Sequence, residues 1–131
     1  MRMKKFINDP KNLVAELLEG MVLAFPDKVQ LTSRNILARA VPKEKGKVRL
    51  LTLGGSGHEP GLSGFVGKGM LDASVAGDIF AAPGAPRCLE AIRNACAGGE
   101  SALLVVLNHA GDVLSGNLAM EMALRDRKSV V

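Results

Sequence analysis

The sequence has no tryptophan and no tyrosine, and its aromatic content is limited to four phenylalanines and two histidines. A core made from such a chain must be aliphatic, drawn from Leu, Val, Ile, Ala and Met. Cysteine is equally scarce, with only Cys88 and Cys96 present. They fall in a segment of helical periodicity, about 12 Å apart along a helix axis, which is too far for a disulfide between them. Both read as core residues of a protein held in a reducing compartment. No apolar run reaches the roughly 20 residues of a membrane-spanning helix. The opening Met1-Arg2-Met3-Lys4-Lys5-Phe6 lacks the apolar stretch that follows the basic residues of a secretory signal. A cytoplasmic location and no membrane partner are therefore expected. Lys and Arg outnumber Asp and Glu by 17 to 13, a net charge of +4. The excess is spread over the termini and residues 43–49, with no stripe interleaved with aromatics, so no nucleic-acid partner is expected.

What the chain does have is glycine, 15 residues clustered towards the middle. A length of 131 residues fits one domain, 1–131. Such a domain can bury about two-thirds of the surface its unfolded chain exposes, so neither disulfide nor metal is needed for a core.

Asp9 and Pro10 carry the cap and first-turn signals of a helix. Leu13, Val14, Leu17, Leu18, Met21 and Phe25 follow at three-to-four spacing, one apolar face, and Pro26 ends it. Residues 29–32 and 36–41 read as short strands, and 42–47 as a charged turn. Residues 47–53 (KVRLLTL) give the best strand signal, followed at once by the Gly-rich loop 54–57. Residues 60–69 suggest a short helix with Leu62, Phe65 and Val66 inward. Residues 73–76 are β-like and lead to a turn at 82–86. A helix over 87–97 stops at Gly98-Gly99. A buried strand over 102–107, a second loop over 108–112 and a helix over 115–127 follow, the last with Leu118, Met122 and Leu114 inward. Ser129-Val130-Val131 reads as the start of a further strand. Alternating strands and helices imply an α/β fold with a parallel or mostly parallel sheet flanked by helices. Its C-terminal edge is expected to be incomplete, as in part of a larger protein.

Ligands of open α/β sheets bind beyond the carboxyl ends of the strands. Two loops lie there, one with Ser56, His58 and Glu59, the other with Asn108, His109 and Asp112. Nucleotide motifs fail in both. The dinucleotide pattern G-x-G-x-x-G meets Pro60 where its third glycine belongs, and the phosphate-loop pattern ending at Gly67-Lys68 meets Leu62 and Gly69 at required positions. The backbone amides of Gly54, Gly55 and Gly57 suit a carbonyl or hydroxyl oxygen. His58 can exchange a proton near neutral pH, and Asp112 can accept one from a hydroxyl. The set describes a pocket for a small polyol or hydroxyketone. Each feature also has a plain reading: a tight strand-to-helix turn, a helix cap at Asp112, a satisfied loop histidine. No spacing among His58, Glu59, Asp78, His109 and Asp112 follows a recurring metal-ligand pattern, and no metal is expected.

The segment LGGSGHEPGLSGFVGKGMLDASVAGDIFAAP resembles the hallmark of the dihydroxyacetone kinase K subunit or K domain. The opening Met3-Lys4-Lys5-Phe6-Ile7-Asn8-Asp9-Pro10 and the segment LNHAGDVLSGNLAMEMA are similar to the same family, whose second loop reads K-N-Y-T-G-D. The resemblance implies that the chain binds dihydroxyacetone or another small ketose. Phosphoryl groups from ATP or phosphoenolpyruvate would arrive on a partner L-type subunit, so this chain would bind no cofactor. His58 and Asp112 would be catalytic, and Gly54, Gly55, Ser56, Gly57, Asn108 and His109 would bind substrate. The family's covalent anchor, a histidine forming a hemiaminal, lies in its second half, so a complementing half is expected; separately, an unfinished sheet edge favours pairing with another chain, so a homo-oligomer is expected. Three positions depart from the family: Leu53 replaces the first glycine of a triple run, Leu107 the substrate-binding lysine, and His109-Ala110 the Tyr-Thr pair. These departures point to a variant subgroup, with a four-carbon ketose as one candidate substrate. The alternative implied by Leu107 is a catalytically inactive ketose-binding or regulatory module.

Overall fold

The computed structural model describes residues 4–126. Asp9 accepts a hydrogen bond from the Lys11 amide and opens a short 3₁₀ turn over Pro10–Asn12. Helix α1 (Leu13–Ala24) follows directly. Strands β1 (Val29–Ser33) and β2 (Ile36–Arg39) form an antiparallel hairpin. Next come β3 (Arg49–Ser56), β4 (Ala73–Ile79), α2 (Ala85–Ala95), β5 (Ala102–Val106) and α3 (Ala110–Arg125).

The five strands make one sheet in the order β1-β2-β4-β3-β5. Strands β4, β3 and β5 run parallel, while β2 joins β4 antiparallel. The expected α/β sheet flanked by helices is therefore present, with its parallel part confined to the half nearest β5. The β1–β2 hairpin supplies the antiparallel part, because a short Ser33-to-Ile36 turn can only reverse the chain.

Side chains alternate across the sheet, and each face has its own cover. Leu51 and Leu53 of β3 join Val75, Ile36, Leu89 and Ile92 in the core beneath α2 and α3. On the opposite face Leu37 and Val29 pack with Val14 and Leu18 of α1 and with Val66. Full burial of each such side chain stabilises the fold by about 1.5–3 kcal/mol. The α1 stripe is thus placed as its spacing predicts, although Phe25, at its end, is half exposed.

Three local expectations need correction. The glycines at 54 and 55 do not begin a loop: β3 runs through them to Ser56, kept extended by its pairing with β4. No helix forms over 60–69; only Ser63–Phe65 makes a 3₁₀ turn, and Phe65 points outward. Glycines at 61, 64, 67 and 69 make a longer helix costly. Helix α3 starts at Ala110 and turns Asp112, Gly116, Ala119 and Ala123 inward, leaving Leu114 and Leu118 exposed. The reason is close approach: a β-carbon on Gly116 would lie 3.2 Å from Cγ2 of Val106. Small residues therefore face the sheet, and the leucines take the outer side. The strand expected at 129–131 lies outside the described residues.

At the amino end of the parallel strands a buried ionic cluster ties the hairpin to the sheet. Asp72 accepts from Arg39 at 3.0 Å, from Lys43 at 2.7 Å and from the Leu50 amide at 2.7 Å. Burial alone would push the Asp72 carboxyl up. The hydrogen bonds from Lys43, Leu50 and Arg39 outweigh burial and hold it below its ordinary value.

Candidate functional site

The ladder between β3 and β5 ends at Leu53 and Val106, whereas the ladder between β3 and β4 continues to Ser56 and Ile79. From Gly54 to Ser56, β3 is therefore laddered on one side only. Its other side faces the turn Leu107–His109, which leads into α3. The two loops singled out by sequence meet here, because their strands are immediate neighbours.

Helix α3 begins at the mouth of this crevice, with His109 at its cap and Asp112 in its first turn. Asp112 is buried, and its Oδ2 lies 4.0 Å from the point that a β-carbon on Gly54 would occupy. Its charge sits at the positive end of the helix dipole. His109 Nδ1 is 3.5 Å from Asp112 Oδ2. The rings of His109 and His58 are 6.2 Å apart. Histidine–histidine–carboxylate thus runs along one wall of the crevice.

The glycines have different tasks. Gly54 leaves room for Leu62, whose Cδ1 would be 3.1 Å from a β-carbon there. At Gly55 a β-carbon would meet the backbone nitrogen of Ala81 at 2.8 Å, so that position must stay bare for the β4-to-α2 turn to close over it. Gly57 has φ of +103°, a conformation that side-chain-bearing residues rarely adopt. Its amide donates to both Glu59 carboxylate oxygens at 3.1 Å. The Ser56 hydroxyl is buried and donates to the Gly77 carbonyl at 2.8 Å, which fastens the ends of β3 and β4 together. Asn108 lies in the exposed turn between β5 and α3.

Sequence reasoning missed Phe80. Its ring packs edge-on against His58 at 5.1 Å and fills the space that a side chain on Gly57 would need. Phe80 has φ of +55°, and its amide donates to the Ser56 carbonyl. The turn at 82–86 was legible in the sequence, but nothing there marked Phe80 as held in the left-handed region. Leu107 is half exposed beside the crevice and offers no donor. Behind the site, burial pushes the Cys88 thiol up to about 11, and the charge of Asp112 adds to the effect. Cys88 is therefore a packed, protonated core residue with no part in the chemistry.

Chemically, the crevice joins one-sided backbone, a buried carboxylate and two accessible imidazoles. That set can hold a small molecule rich in oxygen and take a proton from one of its hydroxyls. Among the described residues no group of three or more His, Cys, Asp or Glu side chains is arranged to hold a metal ion. Among them, too, no helix is long and apolar enough to cross a membrane.

Known proteins place this arrangement in context. The dihydroxyacetone-binding subunit DhaK of a PTS-dependent dihydroxyacetone kinase from Lactococcus lactis is 43% identical over 121 residues, spanning 92% of this chain and 36% of that protein. The crystal structure of the dihydroxyacetone kinase of C. freundii superposes with a TM-score of 0.87 at 36% identity, over 98% of this chain and 24% of that one. The dihydroxyacetone kinase operon co-activator DhaQ superposes with a TM-score of 0.81 at 34% identity, over 88% of this chain and 35% of that one. The chain therefore spans about a third or less of the length of these relatives. The Dak1 domain model matches residues 19–131, and by that match the chain belongs to the Dak1 domain family.

Proposed function

We propose that this chain is the ketose-binding part of a dihydroxyacetone (glycerone) kinase, holding a small hydroxyketone for phosphorylation by a partner L-type subunit. The observation that carries the reading is the convergence of the one-sided β3 terminus with buried Asp112 in a single crevice. The backbone of Gly54 and Gly55 would bond the ketose oxygens, with Asn108 and His109 completing the opposite wall. Asp112 would accept the proton of the hydroxyl whose oxygen attacks phosphorus, as the bond from phosphorus to the donor's leaving group breaks. His58, set by Phe80, would hydrogen-bond the ketose and assist that proton transfer. Phosphoryl transfer of this kind depends mainly on positioning and charge stabilisation, so a chain without nucleotide motifs can supply half of it. The phosphoryl donor, ATP or a phosphoenolpyruvate-derived group, would reside on the partner.

Among the described residues β5 is the outermost strand on its side of the sheet. Leu103 and Val105 are exposed on the sheet face away from α3. A bare edge with apolar neighbours favours pairing with another chain or a complementing K-type half.

Combining the chain with a K-type C-terminal half, an L-type subunit, dihydroxyacetone and ATP tests the reading by following ketose phosphate. Ketose-dependent turnover that requires this chain is expected. Saturable ketose binding without turnover would assign it to a binding module, and neither binding nor turnover would refute the proposal.

A further inference from the structure

A second cavity, of about 130 Å³, lies at the opposite end of the sheet. It sits between the last turn of α2 and the β1–β2 hairpin, lined by residues at the amino ends of β3 and β4. Arg49 and Ser56 bound β3, so roughly 20 Å of strand separates this cavity from the crevice. Its apolar wall is formed by Ile36, Ala38, Ala73 and Ala95, and its polar wall by Arg39, Lys43 and Arg49 with Asp72.

The charges do not cancel. Arg39 and Lys43 share Asp72, and Arg49 pairs with Glu100 at 2.7 Å, so three cations face two carboxylates and leave +1. The carbonyl end of α2 subtracts about half a charge, and the wall stays positive. Donors are in surplus as well. Among the described residues Arg39 commits only Nη1, to Asp72. The Arg49 side chain is buried and adds charge rather than a free donor: Nη1 donates to the Lys43 carbonyl at 2.8 Å and Nη2 to Glu100, while its Nε, without an acceptor among the described residues, is sealed from the cavity. Glu100 Oε2 is also unbonded, but Glu100 does not line the cavity. The surplus positive charge and the uncommitted donors of Arg39 suit an acceptor-only group with one negative charge.

We infer that this cavity binds a small monocarboxylate, its carboxylate against Arg39 and Lys43 beside Arg49, and its short hydrocarbon body against Ala38, Pro42 and Ala95. An apolar cavity of about 150 Å³ accommodates benzene, so the body is limited to about three to five carbons. The apolar wall selects against inorganic phosphate, which would gain the charge interaction but leave Ala38, Pro42 and Ala95 uncovered.

Calorimetric titration of the full chain with propionate, propionamide and inorganic phosphate tests the inference. Propionate should bind saturably, about tenfold or more tighter than either competitor. Ala95→Leu fills the cavity and should abolish binding. Lys43→Gln removes one exposed-side cation and should weaken binding about fivefold or more with the far-ultraviolet spectrum unchanged, which keeps the test decisive if Ala95→Leu folds poorly. Absence of saturable heat up to about 50 mM propionate, equal binding of propionamide or phosphate, or undiminished binding by Lys43→Gln would overturn the assignment.

Discussion

Asp112 reaches from the first turn of α3 to within 4.0 Å of the place a β-carbon on Gly54 would fill. Neither residue is informative alone, since a glycine at the end of a strand and an aspartate at the start of a helix are common. Their convergence gives a buried carboxylate access to a stretch of backbone left free by the shorter neighbouring strand.

Asp112→Asn keeps the shape of that wall and removes the proton acceptor. Ketose phosphorylation in the reconstituted kinase should fall about 10²- to 10⁴-fold, with ketose binding largely retained. The ratio of kcat to ketose affinity checks this, and near-normal kcat would remove Asp112 from the chemistry.

Gly55→Ala should be more damaging than Gly57→Ala to the resting fold. At Gly55 the new carbon meets the Ala81 backbone, which has little freedom to retreat, whereas at Gly57 it meets the end of the exposed Phe80 ring. Overpacking costs of about 1–3 kcal/mol are expected at Gly55. About 1 kcal/mol is expected at Gly57 for the left-handed backbone. Denaturant midpoints compare the two, and the reverse order would contradict the packing described.

Asp72 predicts acid sensitivity. Its folded carboxyl lies below the ordinary value of 3.8, so its contribution is fully present above that value and is lost as pH falls through the folded one. Asp72→Asn leaves Arg39 and Lys43 without their shared charged partner and should cost about 1.5–3 kcal/mol near neutrality. The variant should also lose less stability than the parent as pH falls below about 4. Urea titrations across that range provide the check.

Cys88, pushed up to about 11 by burial, should resist alkylation by iodoacetamide at about pH 8 and react on unfolding. Mass spectrometry of the labelled peptide reads this directly. Rapid native labelling would mean that α2 is not packed as described.

Val105→Lys places a charge on the exposed face beside the β5 edge. If that edge pairs with another chain, the variant should lower association by about tenfold or more without unfolding. Sedimentation of parent and variant decides, and an unchanged distribution would place the contact elsewhere.

Much of the fold was legible because it rests on periodicity. The β3 and β5 runs are short and aliphatic, and the α1 stripe repeats every three to four residues. The helix over 60–69 was misread because apolar residues at helical spacing outweighed the glycines between them. On α3, Met122 packs against the core as its spacing predicts, but Leu114 and Leu118 were misplaced for a related reason: close packing selects Gly116 and Ala119 where hydrophobicity alone selects leucine. In the site, His58, His109 and Asp112 could be named from their loops, but their meeting depends on β3 and β5 being neighbours. Phe80 was illegible because its place is set by a backbone conformation that no local pattern encodes.

The central claim is that the crevice between β3 and α3 receives a small hydroxyketone. Titrating dihydroxyacetone into isotope-labelled chain while following backbone amide signals tests it most directly. The account predicts saturable shifts concentrated at Gly54, Gly55, His58, His109 and Asp112, with residues around Arg39 and Ala95 unmoved. Shifts absent at saturating ketose, or centred at the opposite end of the sheet, would contradict it.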